Sequence, residues 1–307
     1  MSSVETTIFT HEVVGSGPAS GMKFTGREWI GAYSGADVPL LVALHGGGYT
    51  SAYFDVPDYS LIRRAAQLGV PIVAIDRPGY GGSSAVPDGD SVLVQNARVL
   101  DHLIAEIWAA KGQGTTGVVL IGHSIGSAIA LEIASRQPDW PLLGVAVSGF
   151  LLEAPHGDIA AFAALPDLTI LEIPNEYKAG LMFGPSWTRP DDMPEASYAA
   201  NAPLVKAEMI EVISTYLDLA PGVAAAITVP MHIRQGEFDE RYVSDATHVA
   251  EFASAFTAAP CVDARLALGG GHVIDYSRCG FAFQIEQLAF ALTCATIQWR
   301  ATRSPTT

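Results

Sequence analysis

Ser124 stands in the string Gly122-His123-Ser124-Ile125-Gly126, directly after the apolar run Gly117 to Ile121 and directly before the small-residue stretch Ser127 to Ser135. A strand that turns sharply into a helix leaves its corner residue on a strained, exposed backbone, where a hydroxyl can attack a carbonyl carbon. Glycines suit both flanks because side chains would clash across so tight a turn. A serine hydroxyl is a poor nucleophile until an imidazole takes its proton, and a carboxylate must hold that imidazole in one tautomer and stabilise it once charged. The chemistry to expect is acyl transfer from an ester or thioester, with a histidine and an acid supplied from elsewhere in the chain.

The chain has eight histidines. His272 has the strongest claim as base: it follows the last core strand on the run Gly269 to Gly271, at a sheet edge where functional loops collect. His123 adjoins the nucleophile, but the turn aims its ring elsewhere, and His232 falls inside a predicted buried strand, as a hydrogen-bonded core residue. For the acid, Asp239 ends the turn Gly236-Glu237-Phe238-Asp239 after the strand ending Ile233-Arg234-Gln235. Glu237, Glu240 and Asp275 compete with it, and Asp239 could otherwise cap a helix starting near Val243. The oxygen that becomes negative needs fixed donors. The amide of Ile125 is one, and Gly47 in His45-Gly46-Gly47-Gly48 is expected to supply the second, with Gly46 as the alternative. The run Gly269 to Gly271 is not a phosphate cradle, since no lysine follows and no helix opens on it. No histidine and carboxylate set has metal-ligand spacing, so neither metal nor cofactor is expected.

The elements that must position these residues alternate. Pro39 to Leu44 is a short apolar run of the kind buried on both faces of a parallel sheet. A helix from Tyr59 to Leu68, a strand from Val70 to Ile75 and a long helix from Ser91 to Lys111 follow. Beyond the elbow come strands at Leu142 to Val147, Val229 to Arg234 and Ala264 to Leu268, then a helix from Ser277 to Thr296. Ile8 to Val14 and Arg27 to Tyr33 read as additional strands. The predicted class is α/β, one core split into residues 1–149 and 229–307 by an insertion at 150–228. That insertion carries eight prolines, which predicts several short helices rather than long ones. One helix is marked after Pro203, with Val205, Met209, Val212, Ile213 and Tyr216 on one face. With Leu151, Leu152, Phe162, Met182, Phe183, Trp187 and Tyr198, the insertion can roof a pocket beside Ser124. Phe183 and Trp187 are the expected substrate contacts.

A chain of 307 residues that is 49% hydrophobic can bury a large single core. Its net charge of −15 argues against a nucleic-acid partner, leaving a small-molecule substrate as the expected partner. The polar start lacks a signal-peptide pattern and no apolar run is as long as a membrane span, so a cytoplasmic location is expected. Cys261, Cys279 and Cys294 are expected as buried free thiols. Oligomeric state leaves no mark in the sequence.

From Pro39 to Thr296 the chain resembles the α/β-hydrolase superfamily. The matching residues are His45 to Gly48, Asp76-Arg77-Pro78-Gly79-Tyr80-Gly81-Gly82-Ser83, Gly122 to Gly126, Gly236 to Asp239 and Gly270-Gly271-His272. The resemblance implies a mostly parallel sheet flanked by helices with a helical cap insertion, and a triad of Ser124, Asp239 and His272 in that chain order. It makes His45 and Asp76 structural parts of their turns. Serine at the elbow disfavours epoxide opening and halide displacement, which relatives perform with aspartate there. Type II thioesterases, carbon–carbon bond hydrolases and cofactor-free haloperoxidases share the arrangement, and some relatives are non-catalytic receptors.

Overall fold

In the computed structural model, residues 5–31, 37–86, 89–155, 160–161, 164 and 169–303 are described below; Tyr33 and Phe162 lie outside them. The chain begins with β1 (Thr7–Glu12) and β2 (Lys23–Trp29), then runs through β3 (Leu40–Leu44), α1 (Leu61–Gln67), β4 (Ile72–Ile75), α2 (Val92–Lys111), β5 (Val118–His123), α3 (Ile125–Ser135) and β6 (Leu142–Ser148). A short pair, β7 (Ile170–Leu171) and β8 (Leu204–Val205), accompanies helices α4 (Asn175–Met182), α5 (Lys206–Val212) and α6 (Thr215–Ala225). The core resumes with β9 (Met231–Gly236), α7 (Ala246–Ser254), β10 (Val262–Ala267) and α8 (Gly280–Arg303).

Eight strands form one sheet in the order β1-β2-β4-β3-β5-β6-β9-β10. Only β1/β2 and β2/β4 pair antiparallel; the rest are parallel. Every residue of β3, β4, β5 and β9 is buried, as expected for strands with helices on both faces. One apolar cluster joins α2 and α3 to the sheet, and a second joins α1 and α8 to the opposite face. This is the α/β-hydrolase arrangement, a mostly parallel sheet flanked by helices.

Parallel pairing brings the carboxyl ends of the central strands to one edge. Leu44 pairs with Gly122, His123 with Ser148, and Ala267 with Gly236. The loops carrying Gly46–Gly47, Ser124, Asp239 and His272 therefore leave the sheet side by side, although 148 positions separate Ser124 from His272.

Several expectations change. The helix anticipated after Pro203 is two helices, α5 and α6, broken at Ile213–Ser214, with Tyr216 on the second. Pro203 itself precedes β8 rather than occupying a first helical turn. The helix anticipated near Val243 starts at Ala246, and its cap is Asp245, which accepts from the His248 amide at 2.9 Å, so Asp239 is not a helix cap. Helix α8 has the length and hydropathy of a membrane span, which run length alone had hidden. Its Phe283, Leu288, Ala291 and Ala295 are buried, and a helix packed in a protein core can reach the same length and hydropathy. The three thiols are free, but only Cys294 is buried; Cys261 is exposed and Cys279 half-buried.

Candidate active site

Ser124 sits between the last residue of β5 and the first of α3 with φ 55° and ψ −121°, a conformation that costs an L-residue about 1–3 kcal/mol. Its neighbours show why the turn needs glycine. A Cβ on Gly126 would fall 2.1 Å from the Leu44 carbonyl oxygen, and one on Gly122 would fall 2.7 Å from that of Gly126. Both obstacles are backbone, which cannot rotate away. Gly126→Ala is expected to destabilise the fold at the upper end of the roughly 1–3 kcal/mol typical of overpacking, read as a lowered urea midpoint with unchanged m-value.

The hydroxyl of Ser124 is 2.9 Å from His272 Nε2, and His272 Nδ1 is 2.7 Å from Asp239 Oδ2. Both His272 and Asp239 are buried. Asp239 is fixed from two further directions: Oδ1 accepts from the Arg241 amide and Oδ2 from Gln235 Nε2, each at 2.7 Å. A carboxylate only accepts, so His272 Nδ1 carries the proton and Nε2 is left to accept from the serine hydroxyl. The three residues thus form one directed relay from Asp239 to Ser124.

The competing residues are occupied elsewhere. Asp275 accepts from Tyr53 Oη at 2.7 Å and Gln284 Nε2 at 2.6 Å, and its burial raises its pKa. Glu237 accepts from the Gly269 amide. His45 Nδ1 lies 2.8 Å from the Gly46 carbonyl while Nε2 accepts from the Arg77 amide, which fixes the loop before Gly47. Asp76 bonds Thr25 Oγ1 and the Ser51 amide. His123 stacks on Tyr53 at 4.7 Å, and burial holds its pKa well below the usual histidine value. His232 departs from expectation: neither ring nitrogen has a hydrogen-bond partner, and burial pushes its pKa down to about 3, keeping it neutral.

A cavity of about 40 Å³ opens at Ser124 and His272. Gly46, Gly47, Gly48 and Ile125 line it on the sheet side, and Ile173, Leu181, Met182, Leu204, Met209, Val212 and Ile213 line it from the segment between β6 and β9. Ile125 is the first residue of α3, where amides have no acceptor within the helix. The expected contacts Phe183 and Trp187 do not line the cavity. Phe183 stacks on Tyr276 at 6.2 Å; Trp187 is 65% exposed and packs edge-on against Phe238. The cause is the chain path after α4. The Met182 carbonyl accepts from the Val273 amide at 3.1 Å and Gly184 passes beside Gly271, so the chain bends toward the His272 loop, with Phe183 packed on the core beside Tyr276 and Trp187 at the surface.

Sequence reasoning missed Lys178, Tyr49, Arg241 and Tyr242 in the lining. Lys178 was legible: with Leu181 and Met182 it occupies i, i+3 and i+4 of α4, one helical face. It also missed the buried ion pair between Arg77 and Glu208 on α5, at 2.8 Å, in which Tyr80 Oη joins Glu208 at 2.9 Å.

Among curated proteins, the chain is 31% identical over 122 residues to protein phosphatase methylesterase 1 of Bos taurus, covering 39% of this chain and 30% of that one. It is 28% identical over 168 residues to an esterase of Mycobacterium tuberculosis, covering 49% and 52%. The alignments thus span only about a third to a half of those relatives. A haloalkane dehalogenase loop variant from Bradyrhizobium elkanii superposes with a TM-score of 0.65 at 18% identity, over 97% of this chain and all of the other; that likeness concerns the fold. The model of the alpha/beta hydrolase family matches residues 41–282, from β3 through the His272 loop into α8. By that match, which covers most of its length, the chain belongs to the alpha/beta hydrolase family.

Proposed function

We propose that this protein is a serine hydrolase that cleaves a carboxylic ester or thioester of a small, largely apolar substrate through an acyl-enzyme. The observation that carries the reading is the continuous relay from Asp239 through His272 to Ser124, ending at an apolar cavity. His272 Nε2 takes the Ser124 proton as Oγ attacks the acyl carbon. The oxygen that becomes negative is met by the amides of Ile125 and Gly47, with Gly46 adjoining them. Protonated His272 then gives its proton to the leaving alcohol or thiol, and a water that it activates releases the acid. Asp239 stays ionised throughout and stabilises the imidazolium. The esterase relatives support this class of reaction, and the small cavity favours short acyl groups.

The test is pre-steady-state hydrolysis of p-nitrophenyl butyrate together with labelling by a fluorophosphonate. A burst of p-nitrophenol stoichiometric with protein, and a label on Ser124, are the expected results. Absence of both would discard the acyl-enzyme and favour a receptor that binds without turning over.

A further inference from the structure

Lys178 is a charged residue of the cavity whose side chain the relay does not use. It lies on the inner face of α4, 4% exposed. Its ammonium donates to the Gly48 carbonyl and, at 2.6 Å, to Asn201 Oδ1, and stands 3.4 Å from the centroid of the Tyr49 ring. All three partners are neutral. Among the described residues no carboxylate comes within ion-pair distance of it, and no aspartate or glutamate lines the cavity. The other charged side chain in the lining is Arg241, also a cation. Lys178 therefore has no counter-charge among the described residues that line the pocket, in a protein whose net charge is −15.

Burying a cation without a counter-charge is costly. If Lys178 only held the Gly48 loop in place, a neutral donor would serve with less desolvation. A substrate carboxylate seated in the cavity would give the ammonium the counter-charge that the protein withholds, in a charge-assisted hydrogen bond.

Building on the hydrolase reading, we propose that Lys178 is a specificity-determining residue and that the natural substrate is an ester carrying a free carboxylate, which pairs with the Lys178 ammonium while Ser124 attacks the ester carbonyl. The apolar lining accommodates the short carbon chain joining the two groups.

Burial holds the Lys178 pKa down to about 7, so the empty pocket is partly uncharged at neutral pH. A carboxylate would draw the proton back. The preference for an anionic over a neutral ester should then fall as pH rises through and above 7. The titratable groups near the ammonium are Tyr49, His45 and His123, with His272 and Arg241 in the same cavity lining; Glu176 on its own helix is exposed. Burial keeps His45 and His123 neutral and pushes the Tyr49 pKa up. Any effect of His272 on the chemical step is common to both esters and cancels in their ratio.

The experiment compares kcat/KM for monomethyl succinate and glutarate with methyl butyrate and valerate, placing the carboxylate on the acyl side. Acetate esters of glycolate and ethanol place it on the alcohol side. Each pair is measured in wild type, Lys178→Met and Lys178→Arg between pH 6 and 9. In one of the two sets, wild type should prefer the anionic ester by about 10–100-fold, the range expected for one charge-assisted contact. Lys178→Met should abolish the preference. Lys178→Arg should restore it and remove its fall above pH 7, because arginine stays charged. Turnover of the neutral esters with no anionic preference, or an equal loss on both esters in Lys178→Met, overturns the proposal and leaves Lys178 as a strut for the Gly48 loop. Failure to hydrolyse any ester, with no fluorophosphonate label, instead removes the hydrolase reading and this inference with it.

Discussion

Ser124→Ala is expected to eliminate the p-nitrophenol burst and lower kcat on p-nitrophenyl butyrate by about 10⁴–10⁶-fold, with the melting temperature nearly unchanged. The expectation follows from the relay. With Ser124 Oγ 2.9 Å from His272 Nε2, the hydroxyl and the imidazole act as one unit, and removing either removes the same step. His272→Ala should therefore be about as damaging, and the double variant scarcely worse than either single one. Asp239→Asn is expected to lower kcat by about 10⁴-fold, because an amide at this position no longer fixes the imidazole tautomer. Asp275→Asn, by contrast, changes a residue that bonds Tyr53 and Gln284 rather than His272, and should act on stability. Single-turnover and steady-state rates for the five proteins test the assignment. Additive losses in the double variant, or an Asp239→Asn enzyme with wild-type turnover, would remove the relay from the mechanism.

The largest effect on stability is expected away from the nucleophile. Arg77 is fully buried, and its counter-charge is Glu208 on α5, within the segment between β6 and β9. Arg77 Nε also donates to the His45 carbonyl at 2.7 Å, so one guanidinium ties α5 to the loop that precedes Gly46 and Gly47. Glu208→Ala leaves that guanidinium buried without its counter-charge and frees the Tyr80 hydroxyl. The expected cost is about 3–5 kcal/mol, measured by urea unfolding. The paired replacement Arg77→Met with Glu208→Leu removes both charges and should recover most of that stability. It also removes the bond to the His45 carbonyl, so turnover should stay reduced while the fold is regained. Recovery of stability and full activity together would show that the ion pair does not hold the loop.

Glu211 anchors the same helix a turn later. Its carboxylate accepts from the Val92 amide at 2.8 Å, at the start of α2, where the first amides of a helix lack partners within it. Two acids three residues apart on α5 thus hold it to the core at two places. Periodicity marked only the apolar face of this helix, since a sequence pattern reports which side is apolar but not what the remaining side meets.

The features legible in the amino-acid order are local ones. The elbow at Ser124 was legible because glycine on both sides of it answers to backbone contacts near 2–3 Å, and the buried strands because residues covered on both faces must be apolar. Ser124, Asp239 and His272 were legible because each follows a buried strand in the order that the resembled superfamily uses, whereas the order of those strands in the sheet rests on long-range pairing. Tertiary structure decided which side chains fill the space above Ser124. Phe183 and Trp187 had the composition of pocket walls, but the backbone contacts of Met182 and Gly184 with the His272 loop turn them away. The spacing of Lys178 with Leu181 and Met182 marks one helical face, but only the docking of α4 turns that face toward the cavity. A residue type expresses a preference for water or for apolar surroundings, whereas the direction a side chain points is settled by how its helix docks, and docking depends on contacts distant in sequence.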